Sequence, residues 1–193
     1  MRDRNLSQDQ AFEEYLVYQI RLFEYFQLFQ IELDIIEGRY QPRVLAHDPV
    51  EIATTVRIFL TGIFASMMDK PRKALNIFDV WVALYPEEWK PEILRVWRAI
   101  QPAVEMIMEY RNEVAFHANK SLGEYLRARG NFHENRGQVI QAMQEFLDLA
   151  ARLMKAQGAI PDFEARLDRT LTKNFPDQSP EKLQRLKEYF VKG

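Results

Sequence analysis

The sequence predicts an all-α protein, an up-down helical bundle with a long N-terminal helix and additional C-terminal helices. Three observations predict it. Apolar residues recur every three to four positions through most of the chain, and no segment alternates with the period of two that a half-buried strand requires. Helix-start signals, a Ser or Asp followed three residues later by Gln or Glu, recur at Ser7, Asp48 and Ser121. Hydrophobic residues make up 47% of the chain and aromatics 12%, with only 7 glycines and 9 prolines, which is the composition of a helical globular protein rather than a disordered one.

The 193 residues fit one domain, and the helices are predicted at about 7–37, 48–68, 71–85, 91–117, 121–129, 135–157, 161–175 and 179–191. Ser7 and Gln10 form a capping box for the first helix, and Gly38 is its natural stop. At about 1.5 Å per residue this helix is some 45 Å long. Phe12, Tyr15, Leu16, Leu22, Phe23, Phe26, Phe29, Leu33 and Ile36 follow helical spacing, while Val17, Tyr18, Ile20, Leu28, Ile31 and Ile35 widen the apolar surface. That breadth fits a central helix or an oligomer interface. Asp48-Pro49-Val50-Glu51 opens the second helix, with His47 in the loop just before it.

Asp69-Lys70-Pro71 separates the second helix from a third, whose apolar positions are Ala74, Leu75, Phe78, Trp81 and Val82. The three tryptophans cluster from Trp81 to Trp97 and read as packing residues rather than a binding platform. Pro102 lacks the N–H that would bond four residues back, so a kink or a break is expected there. Ser121-Leu122-Gly123-Glu124 opens a brief helix that Gly130 is expected to end, leaving Asn131 to Gly137 as a polar loop. Asn135 is placed as the cap of the next helix, Gly158 as its stop, and Pro161 and Ser179-Pro180 as the starts of the last two. The tail from Leu171 fits either a lid on the bundle or a dimer arm.

Net charge is −2, so the molecule has no overall basic footprint for nucleic acid. A local concentration exists: between Arg111 and Arg136 lie five Lys or Arg against three Glu, together with two of the three histidines. The absence of cysteine excludes disulfides, thiolate metal sites and cysteine nucleophiles. No run of eighteen apolar residues and no signal-like N-terminus is present, so a cytoplasmic protein without membrane association is expected. There is no glycine-rich phosphate loop, no His-Glu-x-x-His pattern and no Glu-x-x-His pair, and neither a metal nor another cofactor is expected.

One stretch carries chemistry: Tyr110-Arg111-Asn112-Glu113-Val114-Ala115-Phe116-His117. Arginine offers five fixed N–H donors that suit a phosphate, and histidine both takes and gives a proton near neutral pH. Glu105 and Glu109 flank it one turn apart, placed to orient Arg111 or to sit at the surface. On an unbroken helix Arg111 and His117 are about 120° apart, so a shared face requires the helix to end between them or two chains to contribute. The bland alternative places His117 near a helix C-terminus, where the dipole favours a cation.

This stretch resembles the signature of the HEPN superfamily of helical proteins, an arginine and a polar neighbour followed by a histidine, and looks most like its abortive-infection and toxin-like branches. The resemblance implies a homodimeric, metal-independent endoribonuclease, a toxin or phage-defence component with RNA as substrate and an antitoxin or regulatory protein as partner. It assigns catalysis to Arg111, Asn112 and His117. Members modified by a partner nucleotidyltransferase carry a tyrosine two residues past the histidine; Asn119 stands there, so that regulation is not implied. Charge alone nominates Lys120, Arg127, Arg129, His133 and Arg136 for substrate phosphates. The competing class is a non-catalytic helical interaction protein, or a binder of nucleotide or RNA.

Overall fold

The computed structural model describes residues 7–39, 49–68, 76–112 and 121–192, and among them every regular element is helical. In chain order these are α1 (Gln8–Ile36), α2 (Pro49–Met68), α3 (Ile77–Leu84), α4 (Lys90–Tyr110), α5 (Leu122–Glu134), α6 (Arg136–Lys155), a 3₁₀ turn at Gln157–Ala159, α7 (Phe163–Asn174) and α8 (Pro180–Lys192). No helix among the described residues is long and apolar enough to cross a membrane. The predicted loop around His47 lies outside the described residues.

Local chemistry sets most of these ends. Ser7 Oγ accepts from the Gln10 N–H at 3.3 Å while Gln10 Oε1 accepts from the Ser7 N–H at 3.4 Å, the reciprocal capping box that starts α1. Gly38 ends it at φ +72, in the left-handed region glycine occupies without penalty, with its N–H on Ile35 O. The third helix does not run unbroken from 71. Asn76 is extended and caps α3, its Oδ1 accepting from the Asp79 N–H at 2.8 Å, because a buried asparagine that satisfies a helix-end donor is worth more there than another helical residue. Pro102 does not break α4, which continues from Lys90 to Tyr110. The missing proline N–H removes one rung, and the buried apolar residues around it (Ile100, Ala103, Val104, Ile107) hold the helix together.

The chain forms two compact units. The first comprises 1–20, 70–98 and 146–193. Its core is aromatic: Trp81 stacks on Phe146 at 5.8 Å, Phe78 meets Trp81 edge-on at 5.1 Å, and Trp97 lies 5.0 Å from Phe78. The tryptophans are thus packing residues. Phe163 of α7 meets Phe12 of α1 at 5.6 Å, and Lys173 pairs with Glu13 at 2.7 Å, so α7 is fastened along the start of α1. Arg166 also bonds to Gln8. α8 packs on α7, with Phe190 buried and Lys187 paired to Asp168 at 3.0 Å.

A polar chain threads this core. Gln157 donates to Val191 O at 3.0 Å and accepts from Gln19 Nε2 at 2.7 Å; Gln19 Nε2 also donates to Tyr15 Oη at 2.9 Å. The Tyr85 hydroxyl donates to Leu153 O at 2.6 Å, so across the 3.3 Å contact between the two phenols Tyr15 is the donor. Burial holds the Tyr15 phenol up at about 12, against the pull of its bonds to Tyr85 and Gln19. Burial raises Tyr85 as well, reinforced by Tyr15.

The second unit comprises 21–69 and 99–145. Leu22, Tyr25, Leu60, Phe64, Ile107 and Val139 lie in its core, and Arg21 Nη1 ties α1 to α2 through Ser66 O at 3.3 Å and Ser66 Oγ at 3.2 Å. The Tyr25 ring lies 6.2 Å from Phe64, but its buried hydroxyl has no hydrogen-bond partner among the described residues. Burial, with the Glu32 carboxylate adding to it, raises its pKa.

Two buried phenols therefore predict opposite mutational outcomes. Tyr85→Phe strips a donor from Leu153 O and an acceptor from Tyr15, and should cost about 1–3 kcal/mol in chemical denaturation. Tyr25→Phe removes only an unpaired hydroxyl and should be neutral or stabilising; a loss for Tyr25→Phe equal to that for Tyr85→Phe contradicts this assignment. The raised phenols also set an alkaline limit. An unfolded chain releases the Tyr15 proton near 10.0 whereas the fold holds it to about 12. The stabilisation, on the order of 3 kcal/mol, is complete below pH ~10 and is lost as pH rises through ~12. Melting temperature should fall over that window together with the rise in tyrosinate absorbance.

Candidate functional site

The C-terminal end of α4 is the site the sequence singles out. Beyond Tyr110 the helix continues as a π turn at Arg111 and Asn112, a local widening common at functional positions. Arg111 Nε donates to Asn112 Oδ1 at 3.1 Å, and both residues are half-buried. Anchoring the Nε–H fixes the plane of the guanidinium, and with it the directions in which its other donors point.

The two preceding residues attach this end to α5. Tyr110 stacks on Phe132 with ring centroids 4.3 Å apart. Glu109 accepts from Arg127 Nη2 at 3.3 Å and from Asn131 Nδ2 at 3.2 Å. Glu109 is therefore engaged by α5, while Glu105 is exposed and accepts from Gln101 at 3.4 Å. Arg127 and Asn131 fall on one face of α5, as i and i+4 must, and Phe132 lies about 100° round from Asn131.

α5 itself opens as predicted: the Glu124 N–H donates to Ser121 Oγ at 3.3 Å and the Ser121 N–H to Glu124 Oε2 at 3.2 Å. It does not stop at Gly130, and Asn131 to Gly137 is not a loop. The helix runs to Glu134, and Asn135 bridges it to α6 with α-type bonds on both sides, its N–H to Asn131 O and its carbonyl accepting from the Val139 N–H, each at 3.1 Å. Asn135 is not an acceptor cap; its Nδ2 donates to Asn131 O at 2.9 Å and to Asn131 Oδ1 at 3.0 Å. Contacts to α4 through Glu109 and Tyr110 outweigh the helix penalty of one glycine, about 1 kcal/mol.

Of the predicted site residues, Arg111 and Asn112 are together and bonded to one another. His117 and Lys120 lie outside the described residues. Arg129 and His133 have their backbones in α5, and their side chains lie outside the described residues. Arg127 is drawn into the ion pair with Glu109 rather than left for a phosphate. Arg136, the first residue of α6, is exposed and makes no ion pair or hydrogen bond with any described residue. Among the described residues no group of three or more His, Asp or Glu side chains can hold a metal ion.

A feature not foreseen lies in the same unit, a cavity of about 180 Å³. Phe29, Ile107, Phe132 and Met143 supply apolar walls. Glu32 and Thr61 are its buried polar residues, 6% and 3% exposed, and neither is without a partner. Arg136, Ile140 and Gln144 line it from exposed positions. The available signal was Glu32, which follows Tyr25 and Phe29 at i+7 and i+3 on the inward face of α1, where a carboxylate is expensive to bury. Compared with models of protein families, with curated proteins and with solved structures, the chain matches none.

Phe132 belongs both to the α4–α5 contact and to the cavity wall. Phe132→Ala should cost about 3–5 kcal/mol in chemical denaturation. A cost below ~1 kcal/mol would show that the Tyr110 stack does not hold α5 in place.

Proposed function

We propose that the protein is a metal-independent endoribonuclease of HEPN type, a toxin or phage-defence component acting in the cytoplasm. The observation that carries the reading is the Arg111–Asn112 pair, a guanidinium oriented by its polar neighbour at the π turn that follows Tyr110. Arginine, polar residue and histidine are the signature's elements, and the hydrogen bond between the first two supports the reading.

In this reaction the ribose 2′-oxygen attacks the adjacent phosphorus and the bond to the 5′-oxygen breaks. His117 takes the 2′-hydroxyl proton or protonates the departing 5′-oxygen. Arg111 stabilises the charge that builds on the phosphoryl oxygens, and Asn112 holds the guanidinium plane. The products are a cyclic phosphate and a 5′-hydroxyl end. Two copies meeting about a two-fold axis bring two such pairs to one groove, and an antitoxin or regulatory protein covers that groove until activity is needed. Arg136 and the basic side chains of Lys120, Arg129 and His133 supply backbone contacts.

Purified protein incubated with mixed RNA in chelator tests the reading. Cleavage should leave cyclic-phosphate ends and should fall at least about 100-fold in His117→Ala and in Arg111→Ala, with Asn112→Ala intermediate. Cleavage that survives both substitutions belongs to a contaminant. Saturable RNA binding without cleavage, at any ionic strength, makes the protein a non-catalytic binder.

A further inference from the structure

The cavity of the second unit joins apolar walls to a cation that has no protein partner among the described residues. At about 180 Å³ it is close to the size of an engineered apolar void, roughly 150 Å³, that takes up benzene. It is well below the roughly 300–1,000 Å³ that drug-sized and cofactor ligands occupy. A single ring is of the size this space holds.

Phe29 and Phe132 present aromatic faces or edges and Met143 a polarizable thioether, partners that favour a ring over an alkyl chain. Charge selects the substituent. Glu32 lies deep and already has a partner, while Arg136 lines the cavity from an exposed position with its guanidinium uncommitted. That planar fork matches a carboxylate in two parallel hydrogen bonds and repels an amine. We propose that this cavity binds a small aromatic carboxylate, its ring among Phe29, Phe132 and Met143 and its carboxylate on Arg136. The proposal does not depend on Arg111 or His117, and it gives Arg136 a carboxylate to bind where the nuclease reading gives it an RNA phosphate.

Titration of the full chain by calorimetry or NMR with benzoate, benzamide, benzylamine and hexanoate tests it. Benzoate should bind saturably in the millimolar range or tighter, with benzamide and benzylamine at least about tenfold weaker. Arg136→Gln, at an exposed position, should melt like the wild type and bind benzoate no better than benzamide. Ile140→Trp, also exposed, should block the opening and abolish binding of both. Equal affinity for benzoate and benzylamine, unchanged benzoate binding in Arg136→Gln, or no saturation by about 10 mM overturns the proposal. Tighter binding of hexanoate than of benzoate overturns its aromatic part.

Discussion

The first unit depends on a buried line of hydroxyls and amides. Tyr85 gives its proton to Leu153 O, which obliges Tyr15 to give its own to Tyr85, and Gln19 then serves as donor to Tyr15 and to Gln157. Donation diverges from Gln19 of α1, one arm running through Tyr15 and Tyr85 to Leu153 O of α6 and the other through Gln157 of the 3₁₀ turn to Val191 O of α8. Apolar packing tolerates small slips because dispersion is non-directional; hydrogen bonds in a dry interior do not, because an unmade one is expensive. Aromatic stacking supplies the burial in this unit, and the polar line selects one arrangement of it. The line is not perfectly satisfied, since Gln19 Oε1 is buried without a partner among the described residues.

The second unit uses different means. Its α4–α5 contact is a stacked ring pair flanked by one carboxylate with two donors, partly exposed and so individually weak. Together they place the π turn of Arg111 and Asn112 beside the helix that supplies one wall of the cavity. That cavity, the unpaired Tyr25 hydroxyl and the buried Glu32 are departures from a closely packed core. Departures of this kind concentrate where a protein trades stability for binding.

Fold class, helix order and several helix ends were legible because they are local. The Ser7 and Ser121 boxes and the Gly38 stop depend on residues three or four apart, and the structure forms each of them. The errors share one cause. Gly130 reads as a stop by its propensity, yet it lies inside α5, and at Pro102, where a kink or a break is expected, α4 does not break. Asn76 lies inside an apolar run, and its role as a cap is visible only when the backbone turns there.

The sequence by itself determined that the chain is helical, where many of its helices begin and that arginine and asparagine stand side by side, since backbone propensity and capping act over a few residues. Only the tertiary structure decided the rest. Arg127 answers Glu109 across 18 positions of chain, Arg136 has no such partner among the described residues, and Glu32 is buried beside a cavity. A charged side chain's role is set by what comes to lie within a few ångströms of it, and such neighbours are contributed by segments far apart in the chain.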